Sequence, residues 1–215
     1  MSVIAFQPRD LDIIRALSLR VRRFGELQLA NAEWRGDRAN ARRRLRRLDD
    51  RGVVKRQIVM AKPVAHVKKV FEWEIGCPQP DFGELSYRVR ARWTPIPIRQ
   101  TICYIATDRG CALFGGPSRC GTEHPLQATH DLALAQAWLD LRRERPELAT
   151  LWRGEDTFAA DFVGMKRPDA ILFDANGQPR TVVECVGGYG YDPPRLKAFH
   201  DFCSRTLQLP YWLYG

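Results

Sequence analysis

No apolar run in this sequence approaches the ~18 residues a membrane-crossing helix requires, so no membrane partner is expected. The first ten residues contain no basic segment leading into an apolar one, so no secretion signal is read there. The six cysteines are irregularly spaced and never form Cys-x-x-Cys. That argues against common zinc and redox motifs and for reduced, partly buried thiols in a cytoplasmic protein. Cys111, Cys120, His124 and His130 are ligand types that zinc accepts, but their spacing fits no standard finger. They are read as loop cysteines with solvent-facing or capping histidines. The sequence also lacks acidic residues in one telling place. Residues 1–75 hold 18 Lys/Arg against 9 Asp/Glu, whereas residues 76–215 hold 16 of each. The whole net charge of +9 therefore lies in the first third, and it peaks at Arg35–Leu48. A compact basic module on an otherwise neutral chain is the electrostatic footprint of a polyanion partner.

The 215 residues, 45 % of them hydrophobic, are enough for one large core or two small ones. The N-terminal third reads as three helices. The first covers residues 8–22, with Pro8 in its opening turn, Asp10 and Asp12 at its positive end, and Leu11, Ile14 and Leu17 at helical spacing. The second runs from Glu26 to about Ala32. The third follows Asp37 as cap, ends near Asp50 and stops at Gly52. Its inward stripe is Ala41, Leu45 and Leu48. Two apolar β-like runs, Val53–Met60 and Val70–Ile75, flank a basic tip containing Lys62, Pro63, Lys68 and Lys69. Three helices and a basic hairpin follow the order of a winged helix-turn-helix, whose third helix enters the DNA major groove. Arg35, Arg38, Asn40, Arg42, Arg43, Arg46 and Arg47 are the candidate base and phosphate contacts. Lys62, Lys68 and Lys69 would hold the backbone from the wing.

Residues 79–122 are read as connecting structure. Tyr87–Trp93 alternates apolar residues with Arg88, Arg90 and Arg92, as in a strand with one basic face. Thr101–Ala106 reads as a second strand, and Cys111–Phe114 as a short helix.

The C-terminal part opens with an amphipathic helix from Thr129 to about Arg145, with Leu132, Ala135, Trp138 (or Leu139) and Leu141 facing inward. A short strand near Leu151–Asp156 follows. Next comes a hairpin of two apolar strands around Asn176-Gly177, then a helix over Arg195–Leu207 and a last strand at Pro210–Tyr214. Gly187-Gly-Tyr-Gly is read as a strand-to-helix loop, because the Lys-Ser/Thr ending of a phosphate loop is missing. Pro168-Asp169 on one strand and Glu184 on the next match the PD-(D/E)XK nuclease-like pattern. There, two carboxylates converge on a divalent metal such as Mg²⁺, which activates water against a phosphodiester. The lysine normally found two residues past the glutamate is absent, and Val186 stands in its place. Lys197 and Lys166 are the two lysines that can replace it. Asp131, Asp140, Glu144 and Glu155 are candidates for a further acid.

The order of these features resembles the replication-relaxation family of bacterial and plasmid proteins. The matching segments are Pro8–Leu17, the arginine-rich Ala39–Gly52 with its Leu-Asp-Asp-Arg-Gly-Val-Val ending, Tyr104–Gly110, His130–Ala135, and Arg167-Pro-Asp-Ala with Val182-Val-Glu. The resemblance implies a winged helix joined to a nuclease-like domain and a DNA-binding role in plasmid replication or relaxation. Val186 also departs from the acid such relatives tend to carry at that position.

The expectation is an α+β protein with three parts: a winged helix-turn-helix at 1–78, a connector at 79–122 and a catalytically degenerate nuclease-like domain at 123–215. It would bind specific double-stranded DNA as a homodimer, associate with nucleoid or plasmid, and regulate transcription or mobile-element replication. The C-terminal domain would serve dimerisation, a protein partner or a ligand, with no cofactor. The alternative is a Mg²⁺-dependent endonuclease using Asp169 and Glu184 as metal ligands and Lys197 as a catalytic lysine.

Overall fold

The computed structural model describes residues 5–62, 67–93, 97–118, 127–186 and 191–215, without the side chains of residues 92 and 93. It is a mixed α+β protein with two sheets. Pro63, Cys120, His124 and the loop at 187–190 lie outside the described residues.

Residues 5–61 form α1 (Pro8–Leu19), the two-residue strand β1 (Phe24–Gly25), α2 (Glu26–Trp34), α3 (Arg38–Asp50) and β2 (Val54–Ala61). Helix α1 starts at Pro8, and the Gln7 N–H donates to the Asp10 carboxylate across its first turn. Helix α3 is capped by Asp37, whose carboxylate accepts the Asn40 N–H at 3.0 Å. Between α2 and α3, Arg35 and Gly36 both take positive φ, 52° and 87°, which makes a tight turn.

Strand β2 corrects the expected wing. The hairpin partner inferred from sequence, β3 (Lys69–Trp73), does not pair with β2. The partner is β4 (Arg99–Ala106), which runs antiparallel to β2 from Val54↔Ala106 to Ala61↔Arg99. Its other edge pairs with β1, so the first sheet has the order β1-β4-β2. The chain between β2 and β4 leaves this sheet, contributes β3 and α4 (Phe82–Trp93) elsewhere, and returns. Helix α5 (Asp108–Ala112) then packs on α1. Gly110 sits so close to the β2 entry that a Cβ there would lie 2.1 Å from the Val53 carbonyl oxygen.

The connector is also corrected. Residues 87–93, expected as a strand, belong to helix α4. Asp81 accepts the N–H groups of Gly83 and Glu84, which is a helix start, and Leu85 and Val89 are buried one turn apart.

The second sheet has the order β3-β8-β7-β6-β5. After α6 (Ala128–Glu144) and α7 (Pro146–Leu151) come β5 (Trp152–Gly154), β6 (Ala170–Phe173) and β7 (Pro179–Cys185). These three strands form an antiparallel run. Helix α8 (Pro193–Asp201) continues as a π-helical stretch over 202–207, and β8 (Tyr211–Tyr214) returns parallel to β7. Strand β3 closes the β8 edge antiparallel. Val182 and Val183 of β7 are fully buried, as a central strand covered on both faces requires.

One apolar cluster runs through both sheets, from Ile14, Leu17, Leu45 and Leu48 to Trp138, Trp152, Val183 and Tyr211. No helix among the described residues is long and apolar enough to cross a membrane.

Candidate functional site

Two sets of side chains carry chemistry. The first is helix α3. Ala41, Leu45 and Leu48 are at most 1 % exposed and anchor its inner face. At ~100° per residue, Arg42 and Arg44 fall on opposite flanks of that stripe. Each flank is braced by a buried acid at the start of another helix. Arg42 clasps Glu26 of α2 with Nε at 3.1 Å and Nη2 at 2.6 Å, and Arg44 Nε donates to Asp10 of α1 at 2.9 Å. Both guanidiniums are held above their ordinary pKa by these hydrogen bonds. Arg38 is 3.8 Å from Glu26. The outward face carries Arg43, Arg46 and Arg47, all exposed, as are Arg35 and Arg38 near the helix start. Asn40 donates its amide to Asp37 and accepts from Arg43, so its polar atoms belong to the helix start.

The expected wing lysines are elsewhere. Lys62 is buried at the end of β2, where its N–H donates to the Thr129 hydroxyl at 3.0 Å. Lys68 pairs through its backbone with Gly215, and Lys69 lies over the Trp212 ring and against Glu72. Both lysines belong to the β3–β8 edge of the second sheet, because β3 joined that sheet instead of β2.

The second set is the carboxylate cluster. Asp169, the residue before β6, and Glu184, on the adjacent strand β7, come together although Asp169 itself lies outside the strand, and both are buried. Asp169 Oδ2 accepts the Cys185 N–H at 2.7 Å and meets His130 Nε2 at 2.9 Å. Glu184 Oε1 accepts from the Tyr191 hydroxyl at 2.7 Å and from Lys166 Nζ at 2.9 Å. Glu184 Oε2 is buried without a partner among the described residues. Glu155 joins through its backbone N–H on the Asp169 carbonyl and through Arg22, 2.6 Å from its carboxylate. Lys166 is thus the lysine at this cluster. Lys197 is not: it pairs with Asp201 at 2.5 Å on the outer side of α8. Of the other candidate acids, Asp131 is buried against Arg23 at 3.0 Å, and Asp140 pairs with Arg143 at 3.1 Å on α6. Glu144 sits beside the same arginine, 3.3 Å from it, and is exposed.

The electrostatics follow from burial and these pairs. Burial opposes a charge on His130, but the Asp169 carboxylate outweighs it and holds the imidazole protonated well above its ordinary range. Burial, with Asp169 nearby, pushes Glu184 above the usual carboxylate range against the pull of Lys166 and Tyr191. Glu155 rises to about 7, chiefly from burial and partly offset by Arg22. Burial raises the Cys185 thiol to about 12, which makes it inert. Cys111 is buried in the first part of the molecule, where Gly110 packs against β2.

These residues do not fit a Mg²⁺ ion. That ion needs near-octahedral oxygen ligation, and each carboxylate here already holds an internal cation: His130 on Asp169, Lys166 on Glu184 and Arg22 on Glu155. No group of three His, Cys, Asp or Glu among the described residues is placed to hold a metal. The aliphatic Val186 is fully buried where a catalytic lysine is usual.

The basic module also covers this cluster. Arg20 and Trp152 exchange side-chain-to-carbonyl hydrogen bonds, and Arg22 chelates Asp156. Gly154 lies so near Arg20 that a Cβ would fall 2.4 Å from the Arg20 carbonyl oxygen. Arg20, Arg22 and Arg23 follow the end of α1, and nothing in the local sequence marks them as bridging residues. Their partners, roughly 110 to 135 residues away, carry no local signal. Compared with known proteins, the chain matches no family model, no curated protein and no solved structure.

Proposed function

We propose that this chain is a sequence-specific double-stranded DNA-binding protein, a regulator of transcription or of plasmid or mobile-element replication. The observation that carries this reading is α3. It is a 13-residue helix locked on both flanks by Glu26 and Asp10, with Arg38, Arg43, Arg46 and Arg47 exposed. A helix that presents guanidiniums outward on a rigid base suits the major groove, where arginine grips phosphate and can chelate guanine. The three helices with the sheet β1-β4-β2 fit a winged helix in which β2 and β4 form the wing and β3 with α4 are inserted between them. Exposed Lys55 and Arg99 then supply the wing's charge in place of the three lysines inferred from sequence.

The order α6-α7-β5-β6-β7-α8-β8, with β8 parallel to β7, supports a PD-(D/E)XK-like second part. Its acids serve structure, since each is neutralised internally. A second copy of the chain is expected on a two-fold operator, because paired half-sites need two reading heads.

The test is fluorescence anisotropy on duplex fragments selected by the purified protein. Arg38→Ala with Arg46→Ala is expected to abolish specific binding and to lower the salt slope by about 0.9 for each phosphate no longer neutralised. Unchanged affinity overturns the reading. Parallel incubation of plasmid DNA with Mg²⁺ or Mn²⁺ is expected to leave it uncut. Cleavage that vanishes in Asp169→Ala would install the endonuclease reading instead.

A further inference from the structure

Beside the outward face of α3 lies an open hollow of about 300 Å³. Four arginines line it: Arg9 from α1, and Arg43, Arg44 and Arg47 from α3, with the Arg44 guanidinium turned onto Asp10. Asn40 and the Trp34 ring complete its wall, and the Arg9 guanidinium lies over that ring at 4.9 Å. Among the described residues its lining contains no carboxylate. Arg44 is compensated from behind by Asp10, which is fully buried. Arg9, Arg43 and Arg47 therefore meet around a concave space with nothing negative in its described wall. Like charges gathered on two rigid helices repel, and an anion placed among them relieves that repulsion while accepting several charge-assisted hydrogen bonds. A planar guanidinium parked on an indole is already oriented, so little rotamer freedom is lost on binding.

We propose that this hollow is a phosphate seat, in which Arg9, Arg43 and Arg47 grip a phosphate group with Trp34 as the wall. The phosphate belongs either to a nucleic-acid strand or to a soluble nucleotide-like molecule. The first source rests on the DNA-binding reading, and the second does not. On DNA, the seat fixes the register of α3 on the duplex. Arg9 stands outside the arginine-rich run and is brought to it only by the fold.

The experiment uses the full chain and the double variant Arg9→Gln with Arg47→Gln, with Arg47→Gln alone as a milder change. Thermal melts confirm that each is folded. Inorganic pyrophosphate is titrated by calorimetry and selected duplex DNA by anisotropy across a salt series. Pyrophosphate binding should be saturable in the wild type and weaker by about tenfold or more in the double variant. Duplex affinity should fall by a similar factor, with a salt slope lower by about 0.9 to 2. Loss of pyrophosphate binding with duplex affinity intact supports the soluble source. Loss of duplex affinity alone supports the strand. The seat is overturned if neither affinity changes. The Arg38→Ala, Arg46→Ala variant separates the two readings, because it should lose duplex binding and keep pyrophosphate. A wild-type protein that binds pyrophosphate through Arg9 and Arg47 but binds no duplex retains the seat and removes the DNA reading.

Discussion

Several arginines that read as free surface charge are structural. Arg23 and Asp131 form a pair whose side chains are only 4 % and 5 % exposed, and it ties the segment entering β1 to α6. Removing one member of such a pair strands the other in a dry environment. Arg23→Ala should therefore lower the unfolding free energy by about 3 kcal/mol, read from the urea midpoint. An unchanged midpoint would show that the pair adds nothing to stability. Arg42 belongs to the same class through Glu26, so Arg42→Ala should cost stability as well as any DNA contact. His200 adds a pH dependence. It is buried edge-on to Trp73 at 5.0 Å, with Nδ1 3.2 Å from the Tyr211 hydroxyl. Burial, with Lys197 and Arg205 nearby, outweighs Asp201 and holds its pKa below the ordinary 6.5. The unfolded chain then takes the proton more readily than the folded one. The stabilisation is complete above pH 6.5 and is lost as pH falls through the lower folded value. His200→Phe should flatten the fall in melting temperature that the wild type shows on acidification from neutral pH. A parallel fall in both proteins would assign the acid sensitivity to other groups.

At the scale of the element, α3 and α4 show how much local pattern decides. In α3 the buried stripe, the Asp37 cap and the Gly52 stop were all legible, because each is a contact within a few residues or a conformational preference of one residue. In α4 the alternation of arginine with apolar residues suggested a strand. The deciding facts were the Asp81 cap and the turn-spaced pair Leu85 and Val89, which a period of two obscures. The rigidity of α3 depends on its inner face. Leu45→Ala, at a position with no exposure, should destabilise the protein by about 3 kcal/mol. It should also raise hydrogen exchange along α3. A change confined to distant strands would contradict that assignment.

At the scale of the whole molecule, the two sheets exchange chain. Strand β4, central to the first sheet, comes after β3 and α4, which complete the second part. A fragment of residues 1–78 therefore lacks the strand that both β1 and β2 pair with, and it should not fold cooperatively by circular dichroism and thermal melting. A cooperative melt of that fragment would show that three helices suffice. The contact between the parts is equally specific. Gly154→Ala drives a methyl into the Arg20 carbonyl and should loosen the basic module from β5, exposing the Trp152 indole N–H to exchange. Full protection in that variant would mean the backbone shifts at little cost.

The amino-acid order by itself determined the start of α1, the cap and stop of α3, the order of strands after residue 150, the pairing of Asp169, just before β6, with Glu184 on the neighbouring strand, and the concentration of positive charge on α3. These follow from periodicity, capping and turn preferences acting over a few residues. The tertiary structure alone decided which strand pairs with β2, which lysine meets Glu184, and which arginines are braces. It also decided that each buried acid holds a cation from a distant segment. Those outcomes depend on strand pairing and on the cost of leaving a buried charge alone, and both are settled between residues far apart in the chain.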